Sequence, residues 1–396
     1  MPSTEREGES RARRVARCKL SRRRFVRDVI DPNQEIAALL LDVSEVYRPT
    51  PRYWGYKNAS RSIRRHPAFL SDLPDKDILK IPGVGPATLR IVREFLDAGQ
   101  SPTVARIVSE SGKAKDIEAR HALRRNFLSA AMVQKVLSDP KRGAVKREDY
   151  GGDFQMHSTG SDGSDSIATL AKGCMKRGYR CMCVTDHSYG LPIAGGMSIT
   201  EMRAQHAEID ALNKTLGGEF RVFKGVEANI LQDGSLDMDP AELPEFDLVV
   251  ASPHSFLRKN IDQTERMLSA VSLPGVHILG HPRGRMFNSR AGIIADWPAV
   301  FKRAVETGVA IEIDGDVSRQ DLDFRVASAA KKAGCVFALD SDAHAADQLW
   351  MADYAIAHAR LAGIPKDRII NCWPIDKIVT WARTFRRSTA SNAKTG

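Results

Sequence analysis

Past residue 150 the apolar positions gather into seven short runs. These are DFQMH at 153–157, CMCVTDH at 181–187, VFKGVEANI at 222–230, DLVVASPH at 247–254, VHILGHP at 276–282, VAIEID at 309–314 and VFALDSDAH at 336–344. Each is of strand length and is bounded by Gly or polar residues, so the pattern predicts seven strands. The stretches 166–178, 200–216, 261–270, 296–307 and 321–333 carry apolar residues at helical spacing instead. Parallel strands need long crossovers, and helices alternating with strands supply them. Seven such units predict an α/β barrel closed like the eightfold one, with its functional end at the C-terminal ends of the strands. Residues 347–362 and 374–386 read as closing helices.

Upstream the pattern is helical alone. NQEIAALLLDVSEVY (33–47) has apolar residues one helical turn apart, and YKNASRSIRRH (56–66) reads as a second, basic helix. In ILKIPGVGPATLRIVREFLDAG (78–99) an apolar run, a glycine turn and an amphipathic helix follow one another, which reads as a helix-hairpin-helix. Gly83, Val84 and Gly85 let the backbone approach a phosphate, the next helix's first amides can donate to it, and Arg90 adds a charge. The expected organisation is a disordered basic arm (1–30), a helix-hairpin-helix DNA-binding domain (31–100), a helical linker (101–149), the barrel (150–388) and a disordered tail (389–396).

Charge sharpens that division. The chain carries +10 overall, but residues 1–150 hold 31 Lys+Arg against 19 Asp+Glu, a net of +12, and the barrel half is near neutral. The basic half therefore suits a polyanion, and non-sequence-specific contact with DNA backbone phosphates is the expected partnership. The six cysteines show no Cys-x-x-Cys, and Cys181 and Cys183, on one strand face, read as core residues, with a Cys-x-Cys metal pair as the alternative. No run has the length of a membrane span and the N-terminus MPSTEREGES lacks a signal-peptide pattern, so a cytoplasmic protein able to associate with the nucleoid is expected.

The chemistry lies at the strand ends. Every strand run carries a His, Asp or Glu at or just past its C-terminal end, and the barrel would bring His157, Asp162, His187, Glu227, His254, His281, Asp342 and His344 together. Imidazoles with carboxylates suit divalent Zn, Mn or Fe, and eight donors are too many for one tetrahedral ion, so two or three metals are expected. Asp186, Glu312 and Asp314 read as supporting carboxylates. Arg258, Lys259, Arg283 and Arg285 follow ligand positions on barrel-end loops, where they are expected to clamp a substrate phosphate.

The motifs DFQMHS…SDG, VTDHS, GVE, SPHS, GHP and SDAH resemble those of the PHP (polymerase and histidinol phosphatase) metal-dependent phosphoesterases over residues 150–390. AGGM (194–197) and IEIDG (311–315) bring the barrel nearest to the C-terminal domain of bacterial family X DNA polymerases, and NQEIA, YKNASRSI and IPGVGP resemble the small N-terminal domain of the same family. The resemblance implies a distorted (β/α)7 barrel, up to three metals, and catalytic participation of His157, His187, Glu227, His254 and Asp342. The family's first motif opens with a histidine where this chain has Gln155, a weaker ligand. Ile91 replaces the lyase lysine, and the interval before the barrel is too short for a polymerase palm. The implied activity is a metal-dependent phosphodiesterase on DNA, a 3′-5′ exonuclease or repair nuclease. A phosphomonoesterase of the histidinol-phosphatase type, or a DNA-binding protein with an inactive barrel, are the alternatives.

Overall fold

A computed structural model describes residues 29–140 and 145–392; residues 1–28 of the arm expected over 1–30 and the last residues of the expected tail, 393–396, lie outside them. The described N-terminal region is all helical: α1 (Pro32–Val46), α2 (Pro51–Arg65), the single turn α3 (Asp75–Ile78), α4 (Pro86–Ala98), α5 (Pro102–Glu110), α6 (Ala114–His121) and α7 (Ala130–Ser138). Proline at the first turn of α1, α2, α4 and α5 starts these helices where a missing N–H removes no bond. Ile36, Leu40, Ile63, Ile78, Ile91 and Val104 form one buried core here, each side chain contributing about 1.5–3 kcal/mol by leaving water.

The stretch expected as a helical linker holds α5, α6 and α7. Val104 of α5 sits in the helical core, whereas Val136 of α7 accepts from Arg360 in the barrel at 3.0 Å. Residues 101–149 are thus divided between two cores.

The barrel follows. Strands β1 (Gly152–Asp153), β2 (Cys181–Val184), β3 (Arg221–Asn229), β4 (Leu248–Ser252), β5 (Ile278–Leu279), β6 (Ala310–Asp314) and β7 (Phe337–Asp340) pair in chain order, all parallel. β3 is long because its first residues pair with β2 and its last with β4. Between β7 and β1 there is a seam rather than a ladder. Met156 bridges Ala343, His157 N–H donates to the Ala343 carbonyl at 2.9 Å, and Asp342 N–H donates to the Gln155 carbonyl at 3.1 Å. Phe154 N–H adds a bond to the Asp340 carboxylate at 2.8 Å. This nearly closed ring fits the sevenfold PHP-type barrel that the sequence resembles.

Helices α8 (Ile167–Lys176), α9 (Ile199–Thr215), α10 (Thr264–Ala270), α11 (Trp297–Thr307), α12 (Phe324–Ala333) and α13 (Ala352–Ala362) cover the ring, and α14 (Ile375–Asn392) closes it. α10 and α12 start three residues later than periodicity suggests; Asp323 caps α12 through the amides of Arg325 and Val326. α14 runs through 389–392, residues expected to be disordered. Alternation along the strands sorts the core in two. Met182, Val184, Val249, Ala251, Ile311 and Ile313 pack outward with the helices, while Cys181, Cys183, Phe223, Val250, Ile278, Ala310 and Ala338 pack together with Ile370, Trp373 and Ile378. His187, Glu227, His254 and Glu312 stand two or four residues beyond members of this second set, so the same parity carries them to the strand ends on the inner side. No helix among the described residues is long and apolar enough to cross a membrane.

Candidate metal centre

All eight donors expected at the strand ends meet in one cluster. Glu227, at the end of β3, is its hub: its carboxylate lies 3.1 Å from His187 Nδ1, 3.4 Å from His157 Nε2, 3.5 Å from His254 Nε2 and 2.9 Å from His281 Nε2. Asp162 is a second hub, half-exposed at the rim, 3.8 Å from His157, 3.6 Å from His187 and 3.4 Å from His344. Asp342 lies 3.1 Å from His157 Nε2. The rings of His157 and His187, and of His157 and His344, have centroids 4.4 Å apart. His157, Asp162, His187 and His344 bring one donor atom each within 4.8 Å of one another, as do His187, Glu227 and His254.

The donor set suits divalent ions on a separate ground. His157 Nδ1, His281 Nδ1 and Gln155 Oε1 are buried and have no hydrogen-bond partner. Buried polar atoms are nearly always satisfied, so unpartnered ring and amide atoms on residues of this cluster fit a bound cation. The histidine and carboxylate clusters indicate divalent metal binding. Gln155 itself is fully buried, and its amide nitrogen donates to Glu227 Oε1 at 3.0 Å.

Electrostatics divides the carboxyl groups. Burial would raise Glu227, but the fields of His187 and His254 and its bonds to His254 and His281 hold it well below the usual carboxylate range. Burial opposes ionisation of Asp162 and Asp342 too; hydrogen bonds from His187 and His344 overcome it for Asp162, and Arg319 with His157 does so for Asp342. Beneath them Glu312 and Asp314 are pushed well above that range by burial and by carboxylates around them. Glu312 accepts the backbone N–H of His281, whose ring burial pushes down to about 4. Both His281 (φ 21°) and Asp342 (φ 52°) sit in the left-handed region, rare for side chains of this size and typical of ligand clamps. Asp186 fastens the turn before Asp162, accepting from Ser158 N at 2.7 Å and Ser161 Oγ at 2.6 Å.

Two of the expected phosphate clamps are corrected. Arg285 is buried, lies 3.8 Å over the Phe127 ring and donates to Asp323 at 2.9 Å; Arg283 shares that carboxylate at 3.3 Å. They lock the loop after β5 instead of facing the cluster, because a buried acid at Asp323 draws both. Arg258 and Lys259 are exposed, and Arg258 donates to Ser289 Oγ at 2.9 Å. Among the described residues Arg319, which sequence reasoning missed, does reach the cluster. It follows β6, donates to Asp342 and lies 3.7 Å from Asp314. The signal was present in IEIDGDVSR, five residues past Asp314, on the loop of a strand already assigned.

The hairpin stands on the helical region. Gly83 has φ 82°, and a Cβ there would lie 2.9 Å from the Ala59 backbone nitrogen. Val84 is buried and Arg90 exposed, and α4 starts without a side-chain cap, leaving first-turn amides open. Ile91 is buried in the helical core. Helical region and barrel meet through Arg64, whose guanidinium lies 3.5 Å over the Phe287 ring and donates to the Val317 carbonyl at 3.2 Å. Gln320, on the same loop as Val317, pairs with the Leu128 backbone in both directions at 2.8 and 3.1 Å.

A family model described as a helix-hairpin-helix domain matches residues 31–101. The chain is similar to the DNA polymerase/3′-5′ exonuclease PolX of Bacillus subtilis (strain 168), 37% identical over 221 residues, covering 56% of this chain and 39% of that protein. It therefore spans well under half of that relative. It is also similar to a protein named "Probable phosphatase" in Thermoanaerobacter sp. (strain X514), 29% identical over 233 residues, covering 56% of this chain and 89% of that one. Among solved structures, the histidinol phosphate phosphatase of Lactococcus lactis complexed with Zn, L-histidinol and phosphate aligns at a TM-score of 0.41 and 16% identity, over 54% of this chain and 94% of that one. The relatives, the sevenfold barrel and the histidine–carboxylate cluster at its mouth fit a protein of the PHP superfamily with a helix-hairpin-helix domain ahead of its barrel.

Proposed function

We propose that the chain is a metal-dependent phosphodiesterase acting on DNA, a 3′-5′ exonuclease or repair nuclease. The observation that carries the reading is the sharing of Glu227 and Asp162 among five histidines at the barrel mouth, on a chain that also holds the helix-hairpin-helix. Divalent ions held by His157, Asp162, His187, Glu227, His254, His281, Asp342 and His344 would activate water and neutralise charge on the attacked phosphate. Gln155 holds Glu227 in place through its amide. Arg319 keeps Asp342 ionised and brings a fixed positive charge to where phosphate charge develops. Arg258 and Lys259 offer exposed charge on the loop after His254. Gly83, Gly85, the open amides of α4 and Arg90 grip the DNA backbone without reading bases.

A second reading, a phosphomonoesterase, is favoured by the probable phosphatase, which the barrel covers almost entirely. Cleavage of 3′-labelled and 5′-labelled oligonucleotides with Mn²⁺, beside a histidinol-phosphate assay, separates the two. Chelator-sensitive laddering is the expected result. Phosphate release from the small ester alone would establish the phosphatase, and silence in both with tight DNA binding would mean an inactive barrel.

A further inference from the structure

Residues 123–129, just ahead of α7, lie as a strap across the loops that follow β5 and β6. The Leu123 carbonyl accepts from Asn288 N–H at 3.1 Å, and Arg124 Nε donates to Asn288 Oδ1 at 2.7 Å. Asn126 Nδ2 donates to Asp323 Oδ1 at 3.2 Å. The Phe127 ring, itself buried, holds Arg285 on its face at 3.8 Å and meets Phe287 edge to face at 5.0 Å. The strap is fastened to α1 as well: Arg124 donates to Asp42, and Ser129 N–H donates at 2.7 Å to Asp31, the residue that caps that helix.

Gln320 grips the strap's backbone from the loop after β6. It is fully buried; its Oε1 accepts Leu128 N–H at 2.8 Å and its Nε2 donates to the Leu128 carbonyl at 3.1 Å. His358 on α13 fixes which way this amide faces. Its Nδ1 accepts Phe324 N–H at 3.1 Å, so Nε2 carries the proton and donates to Gln320 Oε1 at 2.9 Å. Burial pushes the His358 pKa down to about 3, which keeps the ring neutral. Gln320 also stands at φ 44°, a left-handed backbone that a glutamine keeps only where its surroundings hold it.

Arg319 is the residue before it, and its side chain goes instead to Asp342 at the metal centre. The Arg319 carbonyl accepts from Arg285 Nε at 3.0 Å, and Arg285 is the cation stacked on Phe127. The strap therefore holds Arg319 by two routes, one through Gln320 and one through Phe127 and Arg285. We propose that Gln320 is a positioning residue, through which the strap and α1 set where Arg319 stands against Asp342. The proposal rests on the phosphodiesterase reading for what Arg319 acts upon, and it makes the seating of the helical region a condition of turnover in the barrel.

The test is a double-mutant cycle on the full chain, read as kcat and KM for bis(4-nitrophenyl) phosphate with Mn²⁺. Gln320→Ala is expected to lower kcat roughly 10- to 100-fold with KM nearly unchanged, since a misplaced donor fails in the transition state. Phe127→Leu, which leaves Gln320 in place, is expected to lower kcat several-fold, and it carries the test should Gln320→Ala not fold. In the Arg319→Ala background neither change should cost anything more, because both act through that guanidinium. A structural role would lower turnover equally in both backgrounds; that result, or full kcat in Gln320→Ala, would overturn the proposal. A second readout needs no turnover. The Arg319 Nε–H resonance, identified by its loss in Arg319→Lys, is expected to exchange slowly with solvent in the wild type and quickly in Gln320→Ala and Phe127→Leu. Unchanged exchange overturns the positioning. If the wild type hydrolyses nothing while the variants free this proton, the phosphodiesterase reading falls and the strap's hold on Arg319 stands.

Discussion

Arg319 donates to Asp342 across the mouth of the barrel, from the loop after β6 to the end of β7. A guanidinium fixed there can act on a phosphate without being a metal ligand. Arg319→Ala is expected to lower turnover of bis(4-nitrophenyl) phosphate by roughly 10²-fold, the usual loss when one preorganised donor is removed. Metal content, read by atomic emission, should stay near wild type. Arg319→Lys should recover little, because an ammonium lacks the planar fork. Full activity in the alanine variant would remove Arg319 from the mechanism.

His254 and Asp342 serve the cluster from β4 and β7. Replacing either with Ala is expected to reduce metal-dependent DNA cleavage by more than the roughly 100-fold that follows loss of an outer partner of a metal ligand. Oligonucleotide affinity should be nearly unchanged. Parallel loss of binding and cleavage would contradict the division of labour between helical region and barrel.

His344 gives the centre a pH dependence. Burial lowers its pKa, but the bond to Asp162 and the field of Asp342 raise it to about 9 from an ordinary 6.5. A ring raised in this way stabilises the metal-free fold below pH about 6.5 and loses that contribution as pH rises through about 9. An ion needs the ring neutral, so apparent Mn²⁺ affinity should climb with pH up to about 9, by at most roughly tenfold per unit from this proton. Titration calorimetry in two buffers should record the released proton, and His344→Gln should flatten the climb. Affinity independent of pH would dissociate His344 from the ion.

Arg64 joins the helical region to the loop that carries Arg319. Arg64→Ala removes a desolvated cation–π contact and leaves the Val317 carbonyl without that donor, together worth about 2–4 kcal/mol. Urea unfolding should show the loss, and small-substrate turnover should fall with it because Val317 lies two residues from Arg319. Unchanged turnover with lowered stability would make the contact purely architectural.

Gly83 and Gly85 separate stability from DNA contact within the hairpin. Gly83→Ala meets a positive φ and the Ala59 backbone, and should destabilise the helical region by roughly 1–3 kcal/mol. Nothing lies within 4 Å of a Cβ at Gly85, where φ is −122°. Gly85→Ala should therefore melt near wild type, and any loss of duplex affinity in it reports the contact alone.

The ring of strands was legible from its seven apolar runs and the donors from the His, Asp or Glu recurring at or just past the end of each; for three of them a strand's period of two also ties side-chain direction to position. Once Cys183, Phe223 and Val250 point inward, His187, Glu227 and His254 must follow. The hairpin was legible for a local reason, its glycines. Loops obey no such period. Arg283 and Arg285 read as exposed clamps because nothing in GHPRGR says that Asp323, nearly forty residues on, will be buried beside them. Arg319 went unnoticed for the same reason. The short helices α5 and α7 each bury one face against a different body, which no local pattern reveals.

The seam between β7 and β1 gives the cluster a second duty. Where other neighbouring strands share ladder pairs, these two are joined by a few bonds around Gln155, His157 and Ala343, and His157 faces Asp342 directly across the gap. An ion gripped by both residues is a rivet through the one open joint of the hoop. Emptying the centre then does more than silence it: amide exchange should quicken first at Phe154–His157 and Ser341–His344, and a chelator becomes a tool for unfastening the barrel at a chosen place.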